Sequence, residues 1–146
     1  MKFTLITGAS SGIGAQYARQ SAAAGQNLIL VSNQPQPLQE LSANLAEQYG
    51  ITVKSLDIDL SACDAAQRVY DAASGWGEVD CLISNAGVLH FGKFNNTSTE
   101  YIDFITALHC TTPMKLCRLF GADMARRGCG KILIMSSMTA WTPYPT

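Results

Sequence analysis

Charge is scarce in this sequence and almost unbiased. Only 14% of its 146 residues are charged, and ten Lys and Arg against eleven Asp and Glu leave a net charge of −1. No basic excess is available to attract nucleic acid. The one basic doublet, Arg126-Arg127, reads as cations near the C-terminus of a helix. Long apolar runs are missing as well. None approaches the roughly 20 residues that a membrane span needs, and the N-terminus lacks the apolar segment and cleavage site of a signal peptide. Cysteine is present but unorganised. Cys63, Cys81, Cys110, Cys117 and Cys129 are odd in number and show no Cys-x-x-Cys spacing, so no disulfide framework, zinc site or other metal site is expected. A reduced, cytoplasmic protein is the expectation. Internal repeats and low-complexity linkers are also lacking.

What is present suits a folded domain. Apolar residues make up 47% of the chain, enough for a buried core, and the length fits one domain over residues 1–146. Strand and helix patterns alternate. Short apolar runs at Phe3–Thr7, Asn27–Val31, Ile51–Leu56, Val79–Ser84 and Lys131–Ser136 predict five strands. The continuous apolar run of Asn27–Val31 suits a sheet buried on both faces. Helices are predicted between them, over Ile13–Ala24, over a segment with Leu38, Leu41, Leu45 and Tyr49 on one face, and over Ala62–Ala73. A long helix over Ser98–Arg126 follows, capped by Thr97 or Ser98 and kinked at Pro113. Gly25 and Gly50 are the expected stops of the first two helices. This order predicts an α/β fold, a Rossmann-like doubly wound parallel sheet with helices on both faces.

The sharpest motif is Thr7-Gly8-Ala9-Ser10-Ser11-Gly12-Ile13-Gly14, between the first strand and the first helix. Gly8 permits a tight turn off the strand, Gly12 lets backbone approach a pyrophosphate, and Gly14 lets the helix pack closely on the sheet. The free N–H groups and positive end of the helix then face the phosphates. Glycines alone could merely connect two elements, and the strand-to-helix setting is what favours the phosphate reading.

Three more segments stand at the ends of later strands. They are Asp59-Leu60 after the third, Ser84-Asn85-Ala86-Gly87 at the fourth and Ser136-Ser137 at the fifth. Together with the glycine turn, and in this order, they resemble the short-chain dehydrogenase/reductase family rather than its extended, epimerase-like branch. The resemblance covers essentially the whole chain. It implies an NAD(P)-dependent oxidoreductase that passes hydride between nicotinamide and an alcohol or carbonyl substrate. The cofactor residues it implies are Gly8, Ser10, Ser11, Gly12, Ile13, Gly14, Ser32, Asn33, Asp59, Leu60, Asn85, Ala86 and Gly87. Each segment also has a plainer use: Asp59 as a helix cap, Asn-Ala-Gly as a turn, the serines as a polar strand end.

The second strand ends in Ser32-Asn33-Gln34, with neither the carboxylate that bonds a ribose 2′-OH nor a cation for a 2′-phosphate. Without a carboxylate nothing repels a 2′-phosphate, and Ser32 and Asn33 can donate to it. NADP is therefore expected in preference to NAD.

Within the resemblance, Ser137 matches the serine that orients the substrate oxygen, with Ser136 one residue away as the alternative. The Asn of the family's long helix falls on His109, a departure. His109 either holds the relay water or makes a local hydrogen bond. The family's Tyr-x-x-x-Lys does not occur within these residues, and Tyr144 stands too close to Ser137 to be its tyrosine. The chain is therefore expected to be the front part of a longer enzyme, inactive by itself and a dimer or tetramer when whole. The alternative is a short, non-catalytic dinucleotide-binding protein serving as a redox sensor or partner subunit. Exposed apolar surface and poor solubility are expected of these residues alone.

Overall fold

The computed structural model describes residues 1–89 and 92–142. Five parallel strands form one sheet: β1 (Lys2–Thr7), β2 (Asn27–Ser32), β3 (Val53–Asp57), β4 (Glu78–Ser84) and β5 (Lys131–Ile134). Their spatial order is β3-β2-β1-β4-β5. Successive strands thus step outward from β1 in one direction, and the chain then returns to place β4 on the other side of β1. The strand order reverses between β1 and β4, where an open α/β sheet forms a crevice at its C-terminal edge. Register fixes that edge, pairing Thr7 with Val31, Ile6 with Ile83 and Ser84 with Ile134.

Parallel strands need crossovers, and helices supply them on both faces. They are α1 (Gly12–Ala23), α2 (Pro35–Tyr49), α3 (Ala65–Ser74), α4 (Thr99–Thr106) and α5 (Thr112–Arg127). The alternation of side chains along a strand splits the core in two. From β1, Phe3 and Leu5 join Ile29, Val31, Val69, Leu82, Leu116 and Phe120 beneath α3 and α5. Ile6 points the other way and packs with Leu28, Leu30, Leu38, Leu41, Leu45 and the alanines of α1. Ala15, Ala18 and Ala22 recur along one face of α1 and are buried, so small side chains bring this helix close to the sheet.

The expected helix stops are met. Gly25 and Gly50 adopt φ of +74° and +64°, left-handed values that suit glycine. Gly128 does the same after Arg126-Arg127, which occupy the last turn of α5. Ser98 caps α4, its Oγ accepting the Tyr101 N–H at 3.2 Å. The predicted long helix differs from expectation in one respect. Instead of a single bend at Pro113, a π-helical turn over Ala107–Thr111 separates α4 from α5. Proline has no N–H to donate to the preceding turn, and its ring crowds the backbone there. The wider turn just before Pro113 absorbs that misfit. Among the described residues, no helix is long and apolar enough to cross a membrane.

Candidate functional site

At the sheet's reversal point the end of β1 is clasped to the end of β4. Thr7 Oγ1 accepts the backbone N–H of Asn85 at 2.9 Å and that of Ala86 at 3.0 Å. The side chain of Asn85 returns the contact, its Nδ2 donating to the carbonyl oxygens of Thr7 at 3.2 Å and Gly8 at 3.4 Å. Thr7 is buried, with 1% of its surface exposed. Sequence reasoning saw Thr7 only as the first letter of a motif. Its double acceptor role depends on β4 lying beside β1, which no local pattern states.

Above this clasp the glycines divide their work. Gly8 has φ +65°, and a Cβ there would stand 2.7 Å from Ala86 Cα. A Cβ on Gly14 would be driven to 2.1 Å from the Gly8 carbonyl oxygen and 2.7 Å from Asn85 Nδ2. Both glycines are thus demanded by protein packing alone. Gly12 is different: it has φ +53°, and a Cβ on it would meet nothing within 4 Å. The space above Gly12 is open at the N-terminus of α1. Ser11 makes no side-chain capping bond there, and the first turn carries no acidic residue. Its N–H groups and the positive end of the helix dipole are left to face an anion. Ile13 stands 59% exposed beside this opening.

One flank of the turn is built from hydroxyls. Ser32 Oγ donates to Ser10 Oγ at 2.9 Å, and Ser10 Oγ donates to Gln34 Oε1 at 3.0 Å. The Gln34 N–H closes the ring on Ser32 Oγ at 3.2 Å. Ser32 is buried in this ring, whereas Asn33 is exposed. Gln34 is a member that sequence reasoning did not single out. The Ile58 N–H donates to the Ser32 carbonyl at 3.1 Å, which sets Asp59 and Leu60 beside the end of β2. Asp59 is exposed, and its Oδ1 accepts the Ser61 N–H at 2.9 Å and the Ser61 hydroxyl at 2.8 Å. Leu60 is buried.

The other flank is the loop Asn85-Ala86-Gly87-Val88 and the π turn opposite it. The Val88 N–H donates to His109 Nε2 at 3.1 Å. This bond is not a local one: His109 is exposed and reaches the loop after β4, 21 residues away in sequence, tying the helix to it. Ser137 lies past β5. The Met135 N–H donates to the Ser84 carbonyl at 2.8 Å, which holds that segment beside β4. Ser137 is exposed, and its Oγ accepts the Thr139 N–H at 3.2 Å and the Thr139 hydroxyl at 2.8 Å, capping a short 3₁₀ turn. Ser136 is exposed as well. Tyr144 lies outside the described residues. The glycine turn, the Asn-Ala-Gly loop and His109 are joined by direct contacts, while Ser137 is brought near them by strand order alone.

Known proteins share this fold. A family profile described as "short chain dehydrogenase" matches residues 2–146. The chain is 34% identical over 138 residues to the uncharacterized oxidoreductase YmfI of Bacillus subtilis, covering 94% of this chain and 56% of that protein. Among solved structures, the bulky-bulky ketone specific alcohol dehydrogenase of Comamonas testosteroni superposes with a TM-score of 0.93 at 31% identity, over 98% of this chain and 57% of that one. A short-chain dehydrogenase of Sphingobium yanoikuyae in complex with NADPH gives a TM-score of 0.92 at 31% identity, over 98% and 56%. The chain thus spans little more than half the length of these relatives.

Proposed function

Since the chain belongs to the short-chain dehydrogenase/reductase family, we propose that it supplies the dinucleotide cradle of an NADP- or NAD-dependent oxidoreductase acting on a small-molecule alcohol or carbonyl substrate. One observation carries this reading. Gly8 and Gly14 are fixed by packing, but Gly12 is left-handed with open space above it, at an uncapped helix N-terminus. Unlike the left-handed glycines that end helices, Gly12 stands at the start of one, where the open space and the free N–H groups together fit an anion that comes close to the backbone. The N–H groups at Gly12, Ile13 and Gly14 would hold a pyrophosphate there. Asn33 would face the adenosine ribose, with the buried Ser32 behind it, and Asp59 with Leu60 the adenine. Asn85, Ala86 and Gly87 would form the floor beneath the rest of the nucleotide.

When bound, such a nucleotide supplies the redox chemistry, a hydride exchanged with the substrate carbon. The residues of this chain do the positioning. Ser137 would donate its hydroxyl to the substrate oxygen, and the exposed hydroxyl past β5 leaves it available for that. No carboxylate stands among Ser32, Asn33 and Gln34, which favours NADP over NAD. The NADPH in the Sphingobium structure and the ketone specificity of the Comamonas enzyme agree with this choice of cofactor and substrate class. The same reading includes a reducing, cytoplasmic compartment as part of the proposal. A homodimer or homotetramer is the form proposed for the whole enzyme.

Titration with NADPH and with NADH, followed by the change in nicotinamide fluorescence, tests the cradle. Saturable binding of either, tighter for NADPH, is the expected outcome. Binding of neither, or of ATP in preference to both, would sink the reading. The 146 residues alone should bind without reducing carbonyls, because the family's Tyr-x-x-x-Lys is not among them. The whole protein should oxidise NADPH when a panel of ketones and aldehydes is added.

A further inference from the structure

The loop that walls the glycine turn is gripped from its far side by an imidazole. His109 Nε2 accepts the Val88 N–H at 3.1 Å. The ring also rests on Gly87, where an added Cβ would stand 2.9 Å from His109 Cε1. Earlier in the same loop, Asn85 and Ala86 donate to Thr7 Oγ1, and a Cβ on Gly8 would collide with Ala86 Cα. Residues 85–88 are therefore held between the end of β1 and the π turn, with His109 as the holder on the helix side. Moving Val88 away from His109 would free the downstream half of this wall.

To accept a hydrogen bond, Nε2 must carry a lone pair, so the ring that makes this contact is neutral with its proton on Nδ1. A protonated ring has N–H at both nitrogens, and donor would then face donor at Val88. Holding the loop and taking up a proton exclude each other at this contact. We propose that His109 is a positioning residue that clamps the Asn85–Val88 loop onto the dinucleotide cradle only while its ring is neutral, so that nucleotide binding weakens as the ring protonates. The proposal rests on the dinucleotide reading of the cradle.

The loop residues Asn85, Ala86, Gly87, Val88 and Leu89 are all non-titrating. One turn away on the helix, on either side, stand Ile105, Thr106, Thr112 and Pro113, also without charge. Cys110, exposed and adjacent in sequence, is the titratable group nearest along its own element.

The test uses the protein in a His90→Gln background, so that His109 is the only ring observed, and compares it with the same background carrying His109→Asn. The Asn side chain can still accept from Val88, and it does not titrate. Nitrogen-15 spectra at about pH 8 should show Nε2 unprotonated, and the Val88 amide should be protected from exchange. Protection should be lost in step with protonation of the ring, followed in the same nitrogen-15 spectra. NADH binding should weaken on the order of threefold to tenfold between about pH 8 and pH 5.5, the worth of one neutral hydrogen bond. His109→Asn should bind NADH with little change over the same range. Equal pH dependence in the two proteins, or Val88 exchange indifferent to the state of the ring, would overturn the clamp. Failure of both NADH and NADPH to bind at any pH would overturn the dinucleotide reading and the proposal with it. The Val88 exchange measurement, made without nucleotide, tells these two failures apart.

Discussion

The hydroxyl of Thr7 accepts the backbone N–H of Asn85 at 2.9 Å, and this bond joins the last residue of β1 to the first residue past β4. The same oxygen serves Ala86 at 3.0 Å. Two backbone donors at a strand end thus depend on one buried side chain. Thr7→Val keeps the shape and removes the acceptor, leaving both donors without it. We expect a loss of about 1–3 kcal/mol, the usual consequence of an unsatisfied buried polar group, with weaker NADPH binding. Thr7→Ser should retain most of the stability. Urea denaturation of the three proteins measures it, and a Thr7→Val protein as stable as the parent would show that the clasp is dispensable.

Gly12 and Gly14 should respond to alanine in opposite ways. At Gly14 the new Cβ would lie 2.1 Å from the Gly8 carbonyl oxygen, so the helix must move off the turn. Gly14→Ala is expected to unfold the protein or lower its Tm steeply. At Gly12 there is room, and only the left-handed backbone is penalised, by roughly 1–2 kcal/mol. Gly12→Ala should therefore fold, with a modestly lower Tm, yet lose NADPH affinity by tenfold or more because its methyl enters the space assigned to the pyrophosphate. Circular dichroism melts and nucleotide titrations separate the two. Unchanged NADPH affinity in a folded Gly12→Ala protein would count against the cradle.

The contrast between these glycines also marks how far the sequence could be read. Strand and helix alternation revealed all five strands and the helices between them, because apolar period and glycine stops are local signals. Ends slipped where tertiary bonds decide them. The third strand, expected from Ile51, is found over Val53–Asp57, and before it the Thr52 N–H donates to Asn27 Oδ1 at 2.9 Å. The π turn before Pro113 and the bond from Val88 to His109 were not legible either, since both depend on how the helix meets the loop after β4. Gln34 entered the hydroxyl ring for a like reason: its partner Ser10 lies 24 residues away in sequence.

Asn33 offers a direct test of cofactor choice. It is exposed just past the end of β2, beside the buried Ser32. Asn33→Asp changes charge with almost no change in shape, and the new carboxylate would repel a 2′-phosphate while accepting from a 2′-OH. The ratio of NADPH to NADH affinity should fall by about tenfold or more, equivalent to roughly 1.4 kcal/mol. Asn33→Arg should raise it. A ratio that neither substitution moves would place the ribose elsewhere.

β5 makes a separate prediction. Ile132, Leu133 and Ile134 are 41%, 40% and 59% exposed, and among the described strands β5 pairs with β4 alone. An apolar strand with an open edge invites pairing with another chain. The 146 residues in isolation should self-associate as concentration rises. Leu133→Lys combined with Ile134→Glu should reduce this association without disturbing β1, β2 or β3. Sedimentation velocity over a concentration series decides, and a monomer at all concentrations would show that the edge is innocuous.

Tyr70 links α3 to α5, and its ionisation gives stability a pH dependence of known sign. Its hydroxyl donates to Asp123 Oδ2 at 2.8 Å, and its ring stacks at a tilt on Phe120 with centroids 5.2 Å apart. Asp123 is also paired with Arg126. The hydrogen bond to Asp123, then burial, then the carboxylate charge all hold the phenol above its ordinary value of 10.0. The folded state therefore keeps this proton more tightly than the unfolded chain does. The resulting stabilisation is fully present below the unfolded value and is lost as pH rises through the folded one. Tyr70→Phe should cost about 1 kcal/mol at neutral pH, the low end for a bond to a charged acceptor because the site is partly solvated. It should also remove this tyrosine's share of the decline in stability above about pH 10. Urea denaturation at pH 7, 9 and 10.5 compares the two proteins. Parallel curves would mean that the Tyr70–Asp123 bond contributes nothing that ionisation can take away.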